Sequence, residues 1–200
     1  MTDFDSKAKS WDEVPGRIGR ANAVADAIRK QIRLTRKMSA LEYGCGTGLL
    51  SFALQPFLGP ITLADSSPGM LEVLKEKISA GGVKNMIPLQ LDLSKDPVPP
   101  ERYDLIYTLM TLHHIPATLD ILQKFHALLE PSGFLCIADL DKEDGTFHDH
   151  EFDGHHGFDR RELMGLLLQT GFGNVRFKTP FTMKKGTGVY PLFLAVGEKQ

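Results

Sequence analysis

The first residues that could do chemistry are Gly44-Cys45-Gly46-Thr47-Gly48. Glycine permits a tight turn and lets a ligand reach the backbone without meeting a side chain. An apolar run, Ala40–Tyr43, enters this turn, and a helical pattern leaves it at Leu49. The free N–H groups of a helix start would face whatever the turn holds. Asp65 ends the next apolar run, where a carboxylate can accept both hydroxyls of a ribose. Asp92 ends a third run, Met86–Leu91. A glycine turn with an acid at the end of the next strand, Asp65, suits a nucleoside cofactor, and NAD and S-adenosylmethionine both fit so far. The dinucleotide fingerprint G-x-G-x-x-G needs its third glycine where Leu49 stands, whereas here it falls one residue early, at Gly48. Glu42 would repel a pyrophosphate and attract an ammonium, directly or through water.

Further candidates surround that turn. Met70, in the first turn of the helix after Asp65, covers an adenine face or packs in the core. Cys45 has no base beside it in sequence and reads as a loop residue whose backbone matters, and Cys136 reads as an inert core thiol. His113 and His114 follow the fourth apolar run, where one could take a proton from a substrate; a packed wall is the plainer reading. The segment His148-Asp149-His150-Glu151-Phe152-Asp153-Gly154-His155-His156 is dense in histidine and carboxylate but lacks fixed ligand spacing such as H-E-x-x-H. The expectation is a lid facing the substrate through His148, His155 and His156, with no metal. Trp11, the sole tryptophan, lies in a polar N-terminal segment, where its ring either offers an aromatic face to a cation or docks on the outer surface. Lys7 and Arg17 stay unassigned there.

The elements that must position these residues alternate. Short apolar runs at Ala40–Tyr43, Ile61–Ala64, Met86–Leu91, Tyr103–Leu109 and Phe134–Leu140 are separated by helical patterns, which predicts βα units around a parallel sheet. Helices are expected from about Ile18 to Lys37, at Leu49–Pro56, from Pro68 to the Gly81-Gly82 pair, at Thr118–Leu129 and from Arg160 to Gly171. Ser67 is placed to cap the third of these, and Asp159 with Glu162 forms a capping box for the last. Val175–Lys178 and Val189–Val196 are joined too closely for a crossover helix, so they are expected to run antiparallel.

Composition narrows the function classes. The 200 residues are 42% hydrophobic and 24% charged, ordinary for a globular chain. Lys plus Arg number 23 against 25 Asp plus Glu, a net charge of -2, which argues against a nucleic-acid footprint. No apolar stretch is long enough for a membrane span, the N-terminus lacks the apolar core of a signal peptide, and two cysteines make no disulfide framework. A cytoplasmic location is expected.

Taken together, these motifs resemble class I S-adenosylmethionine-dependent methyltransferases of the small-molecule type, from about Ser39 onward. Glu42-Tyr43-Gly44-Cys45-Gly46-Thr47-Gly48 matches that family's first motif, E/D-x-G-x-G-x-G. Tyr103-Asp104-Leu105-Ile106, Leu112-His113-His114-Ile115 and Leu129-Glu130-Pro131-Ser132-Gly133-Phe134 match later motifs in order. The resemblance implies an α/β, doubly wound, seven-stranded and mostly parallel sheet with an antiparallel last strand and helices on both faces. It implies an N-terminal helical segment over residues 1–38 and a cofactor-binding domain over 39–200. Glu42, Gly44, Cys45, Gly46 and Gly48 would hold the methionine part of S-adenosylmethionine, Asp65 the ribose, and Met70, Asp92 and the Leu93 backbone the adenine, with Ser66 also among the cofactor-binding residues. Thr108 and Leu109 would flank the transfer region, and S-adenosylhomocysteine would be the product. The N/D-P-P-Y/F of base-amino methyltransferases is replaced by Tyr107-Thr108-Leu109-Met110. A small-molecule acceptor is therefore expected, with no nucleic acid, no membrane and a monomer or homodimer. An NAD-dependent oxidoreductase and a non-catalytic binding protein are the rival readings.

Overall fold

The computed structural model describes residues 3–148 and 152–200. Seven strands form one sheet: β1 (Ala40–Tyr43), β2 (Ile61–Asp65), β3 (Met86–Gln90), β4 (Tyr103–Leu109), β5 (Leu129–Leu140), β6 (Phe172–Lys185) and β7 (Gly188–Lys199). Their spatial order is β3-β2-β1-β4-β5-β7-β6. β7 runs antiparallel to both its neighbours, and the remaining pairings are parallel. The chain moves outward from β1 to β3, then crosses back to lay β4 on the other side of β1. That reversal is the topological switch point of the sheet, and such sheets bind ligands outside the carboxyl ends of the strands there, here β1 and β4.

Successive side chains of a buried strand serve opposite faces. In β4, Leu105 and Tyr107 join one core, while Tyr103 and Ile106 join the other. Helices α2 (Arg17–Gln31), α3 (Leu49–Leu54) and α4 (Pro68–Ala80) cover the first face through Val24, Ile28, Leu50, Leu54, Leu71 and Leu74. Helices α5 (Thr118–Leu128) and α6 (Arg160–Thr170) cover the second through Leu122, Phe125, Leu163 and Leu167. The Ser67 hydroxyl accepts from the Met70 amide, and the Asp159 carboxylate accepts from the Arg161 and Glu162 amides, so both caps form as their residue types require.

Several boundaries differ from the sequence reading. α2 stops at Gln31, because Ile32 turns extended (φ -131°) and its side chain enters the core. β5 begins at Leu129 and takes the Pro131-Ser132-Gly133 turn into the strand as an irregularity, with Ser132 at φ 61°. β6 spans fourteen residues, not four, since register shifts near Gly173 and Lys178 break the two-residue period that would have revealed it. Ahead of α2, a short helix α1 (Asp3–Lys7) and a 3-10 turn (Ala8–Glu13) occupy what reads in sequence as a polar lead. Among the described residues no helix is long and apolar enough to cross a membrane.

Phe125 is fully enclosed and packs edge-on to Tyr43 with ring centroids 5.4 Å apart. Phe125→Ala should lower unfolding free energy by about 3–5 kcal/mol through lost burial and a cavity. Urea denaturation checks this as a lower midpoint with an unchanged slope.

Candidate functional site

The glycine turn lies where the motif placed it. The Gly44 and Cys45 amides both donate to Ala64 O, at 2.8 and 3.0 Å, which ties the end of β1 to β2. Gly44 has φ +70°, and a Cβ there would lie 2.2 Å from Thr111 Cγ2. Gly48 has φ +80°, and a Cβ there would lie 2.7 Å from Leu74 Cδ1. Both conformation and space therefore demand glycine at these two positions. Asp65 faces the turn from the end of β2. Its Oδ2 accepts from the Gly46 amide at 2.7 Å and its Oδ1 from the Ser67 amide at 2.9 Å. Burial raises its pKa, and these amides pull the other way. Ser66 is exposed beside it, and Met70 is buried with its sulfur turned toward Gly46.

Glu42 is put to another use than holding an ammonium. It is fully buried beneath the start of α3, and its Oε2 accepts from both the amide and the hydroxyl of Ser51. That hydroxyl lies 2.6 Å from Tyr107 Oη. Burial pushes the Glu42 pKa up to about 8, against the Ser51 hydrogen bonds, so the group is largely protonated at neutral pH. It braces β1, β4 and α3. The turn between strand and helix says nothing of which way a β1 side chain points, and Glu42 points under the helix. The Cys45 thiol is likewise buried and pushed well above its usual range, first by burial and then by Glu42 and Asp65; it supplies no thiolate.

The N-terminal segment lies across this turn. Trp11 Nε1 is 3.6 Å from where a Gly46 Cβ would sit. The Asp12 carboxylate accepts from the Thr47 hydroxyl and pairs with Lys77 Nζ at 2.6 Å, while that ammonium also donates to Thr47 O at 2.9 Å. Asp5 accepts from the Ser67 hydroxyl and, at 3.1 Å, from the Gly69 amide at the start of α4, where the helix dipole favours a carboxylate. Phe4 reaches the far side, edge-on to His114 with centroids 5.3 Å apart. Arg17 stacks over the Trp11 ring at 3.5 Å. Sequence reasoning missed the Asp12–Thr47–Lys77 assembly and the Asp5 contact with α4, because no spacing rule links residues so far apart.

Past β4, Met110 adopts φ 56°, a strained conformation for a non-glycine residue, and a 3-10 turn carries His113 and His114. His113 is buried with Nδ1 2.6 Å from Asp139 Oδ1, and its amide donates to Asp139 Oδ2 at 3.2 Å. Asp139, in β5, is fully buried; burial alone would raise its pKa, but the His113 charge and hydrogen bonds hold it below the usual carboxylate range. Burial and the neighbouring His113 charge lower the His114 pKa to about 3, so it stays neutral. His148 joins this group, stacked on Phe152 at 3.7 Å with its ring 5.6 Å from His113.

The other loop histidines make contacts within the protein. His155 Nε2 lies 3.1 Å from both Thr118 Oγ1 and Ile115 O, and its amide donates to His113 O at 2.8 Å, pinning the loop over the 3-10 turn. His156 is exposed and sits 3.3 Å from Glu143. Asp149, His150 and Glu151 lie outside the described residues. Among the described residues no group of three or more His, Cys, Asp or Glu is placed to hold a metal ion.

At the adenine end the expectations need one correction. Leu93 is fully buried, its amide donates to Tyr43 Oη at 3.0 Å, and its carbonyl accepts from Lys124 Nζ at 2.7 Å. Its backbone is therefore committed within the protein and not offered to a ligand. Asp92 holds its own turn, accepting from Ser94 and pairing with Lys95 at 2.8 Å. Thr108 is buried with Oγ1 lacking a partner, whereas Leu109 packs against the first core.

With this geometry in view, comparison with known proteins is decisive. A family model described as "Methyltransferase domain" matches residues 17–176. The chain belongs to the class I S-adenosylmethionine-dependent methyltransferases. An uncharacterized methyltransferase of Schizosaccharomyces pombe, C1347.09, is 29% identical over 153 residues, 68% of this chain and 54% of that protein. The ubiquinone/menaquinone biosynthesis C-methyltransferase UbiE of Coxiella burnetii is 29% identical over 145 residues, 70% of this chain and 58% of that protein. The chain thus spans little more than half the length of either relative. A methyltransferase structure from Aquifex aeolicus superposes with TM-score 0.69 at 22% identity, covering 98% of this chain and 99% of that one. The Haemonchus contortus phosphoethanolamine N-methyltransferase 2 complex with S-adenosyl-L-methionine gives TM-score 0.72 at 14% identity, covering all of this chain and 60% of that one. These likenesses show the methyltransferase fold.

Two predictions arise from the turn. Gly44→Ala should destabilise the fold, because the new methyl group meets Thr111 and the backbone cannot relax from positive φ; thermal melting reads this as a lower midpoint. Glu42 keeps its proton in the folded state up to about pH 8, whereas the unfolded chain releases it near 4.5. Its stabilising contribution is therefore full below pH 4.5 and falls as pH rises toward 8, each pKa unit being worth about 1.4 kcal/mol. Glu42→Gln should remove this component. Urea melts of both proteins across that range should show the wild type losing stability relative to the variant as pH rises.

Proposed function

We propose that the chain transfers the methyl group of S-adenosylmethionine to a small-molecule acceptor, releasing S-adenosylhomocysteine. The observation that carries the reading is the Asp65 carboxylate bonded across to Gly46 at the switch point of the sheet. A carboxylate has about four lone-pair sites, so the two amide bonds leave room for ribose hydroxyls. The Gly44–Gly48 turn admits the methionine part against bare backbone, with Met70 and Trp11 as its apolar walls. Asp92, at the end of β3, faces the adenine in this reading, without the Leu93 amide. Thr108, with its free buried hydroxyl, and Leu109 border the transfer region.

The bound cofactor supplies a methyl group already activated by a sulfonium, so leaving-group departure needs no acid. The protein's part is alignment and exclusion of water, which in ideal cases lowers a barrier by about 7–11 kcal/mol. Where the acceptor must lose a proton, His113 is the proposed base. In the neutral ring, with Nδ1–H given to Asp139, the Nε2 lone pair would take the proton. His114 and His148 form the neighbouring wall. The charge balance favours an acceptor other than nucleic acid.

Isothermal calorimetry should show binding of S-adenosylmethionine and S-adenosylhomocysteine and none of NADH. Asp65→Ala should weaken that binding by about 2–3 kcal/mol through loss of charged hydrogen bonds. Binding of NADH alone would instead support an oxidoreductase, and unchanged affinity in the variant would remove Asp65 from the site. Trp11 is the sole tryptophan, so titration with S-adenosylhomocysteine should also change the intrinsic fluorescence, and this response should be absent in Trp11→Phe.

A further inference from the structure

Arg20 stands one turn beyond Arg17 on α2, and its guanidinium is largely enclosed. Its Nη1 donates to Met183 Sδ at 3.0 Å, a weak acceptor. Its Nε is buried and has no acceptor. The other enclosed arginines differ: Arg160 grips Asp141 at 2.6 and 2.7 Å, Arg176 donates to the side chain and backbone of Gln31, and Arg17 donates to Trp11 O. Among the described residues Arg20 has no carboxylate within ion-pair distance. Burial first, then the Arg17 charge, lowers its pKa to about 10, and Asp139 opposes this; the group remains a cation at neutral pH. Asp139 is not its missing partner, because both oxygens already accept from His113 and Oδ1 accepts from the Leu140 amide as well.

The position of this cation matters. Arg20 follows Arg17 by one turn of α2, Arg17 stacks over Trp11, and Trp11 lies over Gly46; on the other side of Trp11, Phe4 meets His114 beside the His113–Asp139 pair. Arg17 and Trp11 stand between Arg20 and the glycine turn. A buried cation without a counter-charge is costly, and proteins keep one where a ligand completes it. A guanidinium presents a planar fork that fits two oxygens of one anion.

We infer that the methyl acceptor carries an anionic group, a carboxylate or a phosphate monoester, and that Arg20 binds it while His113 faces the atom to be methylated. The inference rests on the methyl-transfer reading above. Arg20 is a binding residue and takes no part in moving the methyl group or the proton.

The test uses the full chain saturated with S-adenosylhomocysteine and the probes benzoate, phenyl phosphate and neutral benzamide. Thermal melting and calorimetry are run on wild type and on Arg20→Met, which keeps the volume and removes the charge. The expected result is that benzoate or phenyl phosphate raises the wild-type melting temperature and binds saturably, benzamide does neither, and Arg20→Met weakens the anion at least about tenfold. Which anion binds more tightly separates carboxylate from phosphate. Without any anion, Arg20→Met should melt no lower than wild type, since it relieves an uncompensated charge. Equal response to benzoate and benzamide, no response to any anion, or equal anion binding in the variant overturns the inference. So does a marked fall in S-adenosylhomocysteine affinity in Arg20→Met, which would assign the arginine to the methionine carboxylate of the cofactor. If wild type fails to bind S-adenosylhomocysteine at all, the methyl-transfer reading fails instead, and the anion titration repeated on ligand-free protein still reports on Arg20.

Discussion

The bond from the Gly46 amide to Asp65 joins two strand ends that the sheet holds side by side. β1 and β2 are parallel neighbours with Tyr43 opposite Ala64, so the turn after one strand and the acid ending the other arrive at the same level. Everything else at this end of the molecule is arranged around that contact. Ser67 and α4 hold Asp65 from behind, Thr111 closes on Gly44, and the N-terminal segment closes over Gly46. A slip in the β1–β2 register would turn alternate side chains to the wrong face and separate the pair.

Two kinds of buried polar group lie near this contact, and they do different work. Glu42 is a neutralised brace, its proton retained because burial outweighs the Ser51 hydrogen bonds. Asp139 is an ionised one, kept charged by His113 despite equal burial. Both carboxyls are enclosed, and the difference lies in the partner: a hydroxyl and an amide in one case, an imidazole in the other. The consequence is a charged end of the crevice beside β5 and a neutral floor beneath β1. An acceptor and a sulfonium cofactor would meet those two environments separately.

Most of the sheet was legible because buried parallel strands are short apolar runs between helical patterns, and glycine, proline and capping residues punctuate them. β1, β4 and the Ser67 cap followed from residue types alone. The long β6 did not, because bulges interrupt its alternation. That the Gly44–Gly48 turn and the strand-end Asp65 would meet was readable from spacing, since the two lie close along the chain. The Leu93 backbone was misassigned because its partner Tyr43 lies fifty residues away. Glu42 was misassigned because the orientation of a strand side chain at a turn depends on which helix packs there.

What the amino-acid sequence determined by itself is local: which segments form strands and helices, where the backbone needs glycine, and which strand ends carry acids. It also determined the family, through several motifs in order. Tertiary structure alone decided the pairing of His113 with Asp139, the folding of Trp11 and Asp12 over the glycine turn, and the burial of Arg20 with no carboxylate in ion-pair distance among the described residues. The physical reason is that propensity and capping act within a few residues. Burial, charge compensation and proton affinity depend instead on which distant segments meet, and only the folded sheet brings them together.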